Sequence, residues 1–201
     1  MPNVLLPRPP TQPFRYLPPR FVLRGSDVCP AGPNSLTAFA NDTGIGSVAW
    51  TNVTDAIASD DADATITLAA TQTSNYLKAT GPNFSLPVGE AIAGILVEVE
   101  CAQSLVISQD MSARVVKGGT IQTAQTKTFE VPSADAYISF GGPTDLWGQS
   151  WTANDINAAD FGVALYLDNA LADNYQIDHI RITVYCGGVR RKFRTLLNVG
   201  Y

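Results

Sequence analysis

The sequence predicts an all-β fold, an antiparallel two-sheet β-sandwich with extended N- and C-terminal arms. Three observations carry that prediction. Short apolar runs alternate with period two from about Ser47 to Cys186. Turn-forming residues separate these runs, and the 201 residues include 16 glycines and 13 prolines. Only one stretch carries a helical signature. The apolar share, 45%, is enough to bury a core, while the charged share of 15% is well below the usual quarter.

The alternation can be read run by run. In ATITLAAT, Ala64, Ile66, Leu68 and Ala70 share one face while Thr65, Thr67 and Thr71 share the other. In GILVEVEC, Ile95, Val97, Val99 and Cys101 point one way and Glu98 and Glu100 the other. Met111, Ala113 and Val115 alternate with Ser112 and Arg114, and Lys117-Gly118-Gly119 reads as a hairpin turn. FGVALYLD and DHIRITVYC complete the set. The latter puts Ile180, Ile182, Val184 and Cys186 inward, and His179, Arg181, Thr183 and Tyr185 outward. The exception is Thr152-Ala153-Asn154-Asp155, a capping box that opens a helical turn running to Ala159.

Seven of the prolines fall within residues 1–20. Such a density forbids helix and leaves an extended backbone. The organisation is therefore an arm at 1–25, a Gly/Pro/Ser/Asn-rich linker at 26–46, a β-sandwich at 47–186 and a second arm at 187–201. Charge follows the same division. The first arm holds Arg8, Arg15, Arg20 and Arg24 without an acid, and the second holds Arg190, Arg191, Lys192 and Arg194 without an acid. The middle keeps the other five basic residues and all 18 acidic ones, a net −13. Both arms are also apolar, with Phe14, Tyr16 and Phe21 in one and Phe193 and Tyr201 in the other. Exposed aromatics at that density call for a partner surface, so these residues are the candidate anchors. An acidic body would repel phosphate, which argues against nucleic acid as a partner.

Candidates for chemistry are few. His179 is the only histidine. No G-x-S-x-G accompanies it, and an outward strand histidine is the simpler account. Glu98 and Glu100 are spaced like paired glycosidase carboxylates only because strand geometry sets that spacing. Asp60, Asp61 and Asp63 form an acidic loop without the glycine and distal glutamate of an EF-hand, so solvated turn residues are favoured over a calcium site. The sequons at Asn41, Asn52 and Asn83 matter only in a secreted chain. Cys101 and Cys186 end inward-facing runs and read as reduced, buried small hydrophobes, with a disulfide between them left open. Tyr137, Trp147 and Trp151 either form a sugar-binding platform or plug the end of the sandwich, and plugging is favoured. No apolar run is long enough to span a membrane, and prolines interrupt the start of the chain where a signal peptide would need an apolar core. The chain reads as made in a cytoplasm and not as an enzyme, with no cofactor.

The pieces AWTNVTDAIASDDADAT, NYLKATGPNFSLPVGEAIAGILVEVE, ARVVKGG, YISFGGPTDLWGQSWTANDINAADFGVAL and IDHIRITVYC resemble a jelly-roll module of tailed-bacteriophage virion proteins. The resemblance covers about two thirds of the chain, from Trp50 to Tyr185. It implies a jelly roll in a structural or appendage protein of the virion, assembled in the host bacterial cytoplasm, and no catalytic residues. On that basis the expected role is a capsid decoration, cement or head-fibre protein. It would be a homo-oligomer, with a trimer the first expectation, docked by its arms on the major capsid protein or another virion protein. The alternative is a carbohydrate-binding tail or fibre module that uses Tyr137, Trp147 and Trp151.

Overall fold

Alternation becomes burial wherever a strand meets the opposite sheet. The computed structural model describes residues 29–168 and 170–187. Its strands are β1 Ala31–Ser35, β2 Ala38–Asp42, β3 Ala64–Leu68, β4 Tyr76–Thr80, β5 Ile92–Gln103, β6 Asp110–Lys117, β7 Thr120–Ile121, β8 Lys127–Glu130, β9 Ala136–Gly142, β10 Gly162–Leu167 and β11 Asp173–Cys186. One sheet has the order β1-β11-β5-β9, with β3 also pairing β11. The other has the order β2-β4-β10-β6-β7, with β8 also pairing β6. The strand pairs of both sheets are antiparallel.

The two sheets face each other across one core. Ile95, Val97, Val99 and Cys101 of β5, Met111 and Ala113 of β6, and Ile180, Ile182 and Val184 of β11 are completely buried there, as the period-two pattern requires. The β6–β7 turn is the two-residue hairpin read from Gly118-Gly119, and both glycines have positive φ (56° and 72°). The capping box also forms. Thr152 caps α1, Ala153–Asn157, and the backbone N–H of Asp155 donates to its hydroxyl.

The linker boundary moves. Residues 26–46 contain β1 and β2, so the sandwich begins near Ala31 rather than Ser47. Their Gly, Pro and Asn content conceals them because both are edge strands, where proline is tolerated and few side chains are buried. β1 lies along the C-terminal half of β11, and β3 along its N-terminal half. The arms at 1–25 and the basic segment from Arg190 to Tyr201 lie outside the described residues.

Candidate functional site: the polar outer face of the five-stranded sheet

The outward residues of β11, β5 and β9 are not simply solvated. Cross-strand register aligns Ser35, Arg181, Glu98 and Ser139 in one row, and His179, Glu100 and Tyr137 in the next. Arg181 donates through Nε and Nη2 to the two carboxylate oxygens of Glu98, both at 3.0 Å. Its guanidinium lies over the Tyr137 ring, 4.0 Å from the centroid. The Glu98 hydrogen bond raises the Arg181 pKa further. The pair keeps part of its surface open, with side chains 29% and 19% exposed for Arg181 and Glu98.

Parity places His179 on this outer face as expected, yet it is only 8% exposed. Neighbours far away in sequence cover it. Nε2 is 2.8 Å from the Ser35 hydroxyl and Nδ1 is 2.7 Å from the Tyr137 hydroxyl. Burial, and then the charge on Arg181, lower its pKa, so the ring is neutral at pH 7. Burial and a hydrogen bond to Glu100 raise the Tyr137 phenol. A serine bonded to a neutral imidazole has the makings of a nucleophile, yet the backbone donors beside it are occupied. Leu36 N–H donates to Ile180 O and Thr37 N–H to Thr80 O, which leaves neither for an oxyanion.

One end of this face is acidic. Ligand oxygens of Asp61, Asp135 and Asp178 lie within 4.8 Å of one another. Asp178 is 2% exposed and accepts from the Asp60 N–H at 3.3 Å. Burial first, then the neighbouring carboxylates, raise the pKa of Asp135 and of Asp63, and burial raises that of Asp178. The Glu100 Oε2 atom is buried without a hydrogen-bond partner. Of the acidic loop singled out in the sequence, Asp61 joins this cluster, and its two partners come from other elements.

Of the two readings of the aromatic cluster, the favoured one, plugging, describes both tryptophans. Trp147 is fully buried, and its Nε1–H donates to Ile95 O at 3.0 Å. Gly141 (φ 79°) makes room for that ring, since a Cβ there would lie 2.7 Å from Nε1. Trp151 is 9% exposed, donates to Leu146 O and packs edge-on against Phe161. Both tryptophans plug the core, and Tyr137 alone of the three reaches the polar face.

The cysteines pair differently from the sequence reading. Cys29 and Cys186 form a disulfide with Cα atoms 5.7 Å apart. Cys186 is therefore neither reduced nor bonded to Cys101. Cys101 is free and buried, and burial pushes its thiol up to about 12.

Two open depressions mark the surface, one beside Val106 and Phe129, the other beside Val88 and Trp151. Neither touches the polar face. All five basic residues of the body have internal partners. Lys78 meets Asp42, Lys117 meets Asp155, Lys127 meets Asp145, Arg181 meets Glu98, and Arg114 donates to Tyr76 and Thr126. Fold and site together define a β-sandwich whose five-stranded sheet carries an ordered polar outer face.

No family model and no curated protein matches the chain. Solved structures with a similar outline include the second N-terminal cellulose-binding domain of β-1,4-glucanase C from Cellulomonas fimi. It is 12% identical with a TM-score of 0.42, and the match covers 79% of this chain and 98% of that one. A module described as BiXyn10A CBM1 is 12% identical with a TM-score of 0.39, covering 75% and 99%. The CBM22-1–GH10 modules of Clostridium thermocellum xylanase 10B, complexed with xylohexaose, are 9% identical with a TM-score of 0.40, covering 78% and 27%. Likenesses of this strength transfer no function.

Proposed function

We propose that the chain is a non-catalytic binding module whose outer five-stranded face takes a glycan. The observation that carries this reading is the Arg181–Glu98 pair, bidentate and stacked on Tyr137 yet partly open. Exposed ion pairs add little to stability, so a fixed pair on a sheet surface calls for another role. Sugar hydroxyls are donors and acceptors together, and a paired guanidinium and carboxylate beside Ser35, Ser139 and Tyr137 offers both complements in a rigid array. A glycan array followed by calorimetry tests the reading. Arg181→Ala and Glu98→Gln should each weaken binding by about tenfold or more, the size of a lost charge-assisted hydrogen bond. Failure of the folded protein to bind any glycan overturns it.

A second reading rests on charge distribution. Two basic, apolar ends flank a body of −13 whose own cations are all internally engaged. This favours attachment through the ends, as in a structural protein of a tailed-phage particle docked on the major capsid protein as a homo-oligomer. Truncation of residues 1–24 should leave a folded sandwich that no longer joins particles. Normal incorporation of the truncated chain excludes the arm as anchor.

A further inference from the structure

The six-stranded sheet ends in an open edge. β8 pairs with β6 and with no other described strand, so the backbone groups along its far side meet no neighbouring strand. Phe129 lies opposite Met111, which is fully buried, and its ring therefore faces between the sheets. It is nevertheless 48% exposed, although Phe140 of the other sheet stands 6.4 Å away. The gap between the sheets is thus left open at this strand. The depression there has a volume of about 250 Å³, room for a side chain, and Gln103, Val106 and Val131 line it with Phe129. Val106 is also exposed, so two large apolar side chains stand uncovered at one mouth.

The other face of the same strand is negative. Glu130 lies opposite Asp110, both are exposed, and like charges that face each other across a strand pair repel. Ser108 donates to Glu130 at 2.9 Å. No described cation reaches either carboxylate, because Lys78, Arg114, Lys117, Lys127 and Arg181 are each held elsewhere. Lysine commonly guards an edge strand, yet Lys127 of β8 lies opposite the buried Ala113 and turns inward to Asp145 and the Trp147 ring. Gln103 adds a third unmet group. It is 4% exposed, its Nε2 donates to the carbonyls of Ile107 and Val131, and its Oε1 is buried without a donor. The edge is therefore apolar on one side and rich in unanswered acceptors.

We propose that the free edge of β8 takes one extended strand of a partner polypeptide in which apolar and basic residues alternate. An added strand bonds to the edge backbone and turns successive side chains to opposite faces. Its apolar positions enter the mouth beside Phe129 and Val106, while its basic positions meet Glu130 and Asp110 on the outer face. Apolar cover and positive charge are the two things this edge lacks, and one alternating strand supplies both. The alternation also sets the register, since a slip of one residue would drive the basic side chains into the apolar mouth. A second β8 would only add acid to the edge, so another copy of the chain is not the occupant. The edge lies on other residues than the glycan face, and neither reading depends on the other.

The test titrates the full chain with a fluorescent peptide that alternates valine and arginine. Two controls accompany it: the valine–glutamate counterpart, and a peptide of the first composition whose arginines form one block. The alternating basic peptide should bind at least about tenfold more tightly than either control, and more weakly as salt rises. Its binding should slow amide hydrogen exchange at residues 128–130. Glu130→Gln should weaken binding, and Glu130→Lys should turn the preference toward the glutamate peptide. Glu130 is exposed, and cooperative melts show that both variants remain folded. Arg181→Ala should bind the peptide like the parent, which keeps this result separate from glycan recognition. Equal affinity for the three peptides, binding without slowed exchange at 128–130, or an unchanged preference in Glu130→Lys each overturns the proposal. So does a dimer of the chain that the peptide dissociates, because the occupant is then a second copy.

Discussion

The outer faces of the two sheets are closed in opposite ways. On the six-stranded sheet Tyr76, Val116, Ala164 and Tyr166 form a satellite apolar cluster, and β10 is buried on both faces because of it. Arg114 lies across the two tyrosine rings, 5.9 and 5.3 Å from their centroids, and donates to the Tyr76 hydroxyl at 2.6 Å. That face is satisfied by its own side chains. On the five-stranded sheet the cover is ionic and polar, with a partly open Arg181–Glu98 pair, crowded carboxylates and an unpartnered Glu100 oxygen. One face spends its side chains on stability. The other holds polar groups in fixed positions at some cost, which is what a recognition surface requires.

The sharpest way to break this contrast is to truncate each face in turn. Tyr166→Ala should destabilise the fold by about 3–5 kcal/mol, since it removes a buried aromatic from a packed cluster. Glycan affinity measured well below the melting temperature should stay unchanged. Cys101 tests the inner side of β5, directly behind Glu98 and Glu100. Cys101→Ser should cost about 1–3 kcal/mol in chemical denaturation by placing a hydroxyl among apolar groups, and Cys101→Ala should cost less.

A smaller effect separates the acidic end of the polar face from its Arg–Glu centre. Asp178 has a raised pKa in the folded state, so the folded protein holds its proton more tightly than the unfolded chain does. Its contribution to stability is therefore fully present below the unfolded pKa, near 3.8, and is lost as pH rises through the folded value. His179 acts oppositely. Its lowered pKa supports stability above about 6.5, the unfolded value, and that support is lost as pH falls through the folded value. Asp178→Asn keeps an acceptor for the Asp60 N–H and removes the charge. Urea melts between pH 4 and 7 should show the variant gaining stability relative to the parent as pH rises. A constant difference across that range would contradict the assigned crowding. The smallest stability change belongs to the centre, where Arg181→Ala should cost less than about 1 kcal/mol because the pair is partly solvated.

Much of this architecture could be read from the sequence, for reasons that differ by element. β5, β6 and β11 were legible because one face of each meets the core and alternation records it directly. α1 was legible because Thr152 and Asp155 are three residues apart and satisfy each other locally. β1 and β2 were hidden because edge strands bury little and tolerate the Gly, Pro and Asn that otherwise mark a linker. The site was mostly hidden. Parity assigned His179, Arg181, Glu98 and Glu100 to the outer face, but Ser35 and Tyr137 reach His179 across separations of 144 and 42 residues. The same distance problem concealed the partner of Cys186. Trp147 and Trp151 show the converse, because a tryptophan in a Gly/Pro-rich loop reads equally as a platform or a plug until packing decides.

The most direct test of the central claim is a titration of the intact protein and its Arg181→Ala variant with the strongest ligand from a glycan array, at a temperature where both are folded. The account predicts saturable binding by the intact protein and at least about a tenfold loss in the variant, with melting temperatures nearly equal. Equal glycan affinity in the two proteins would show that the Arg181–Glu98 pair is not the recognition centre.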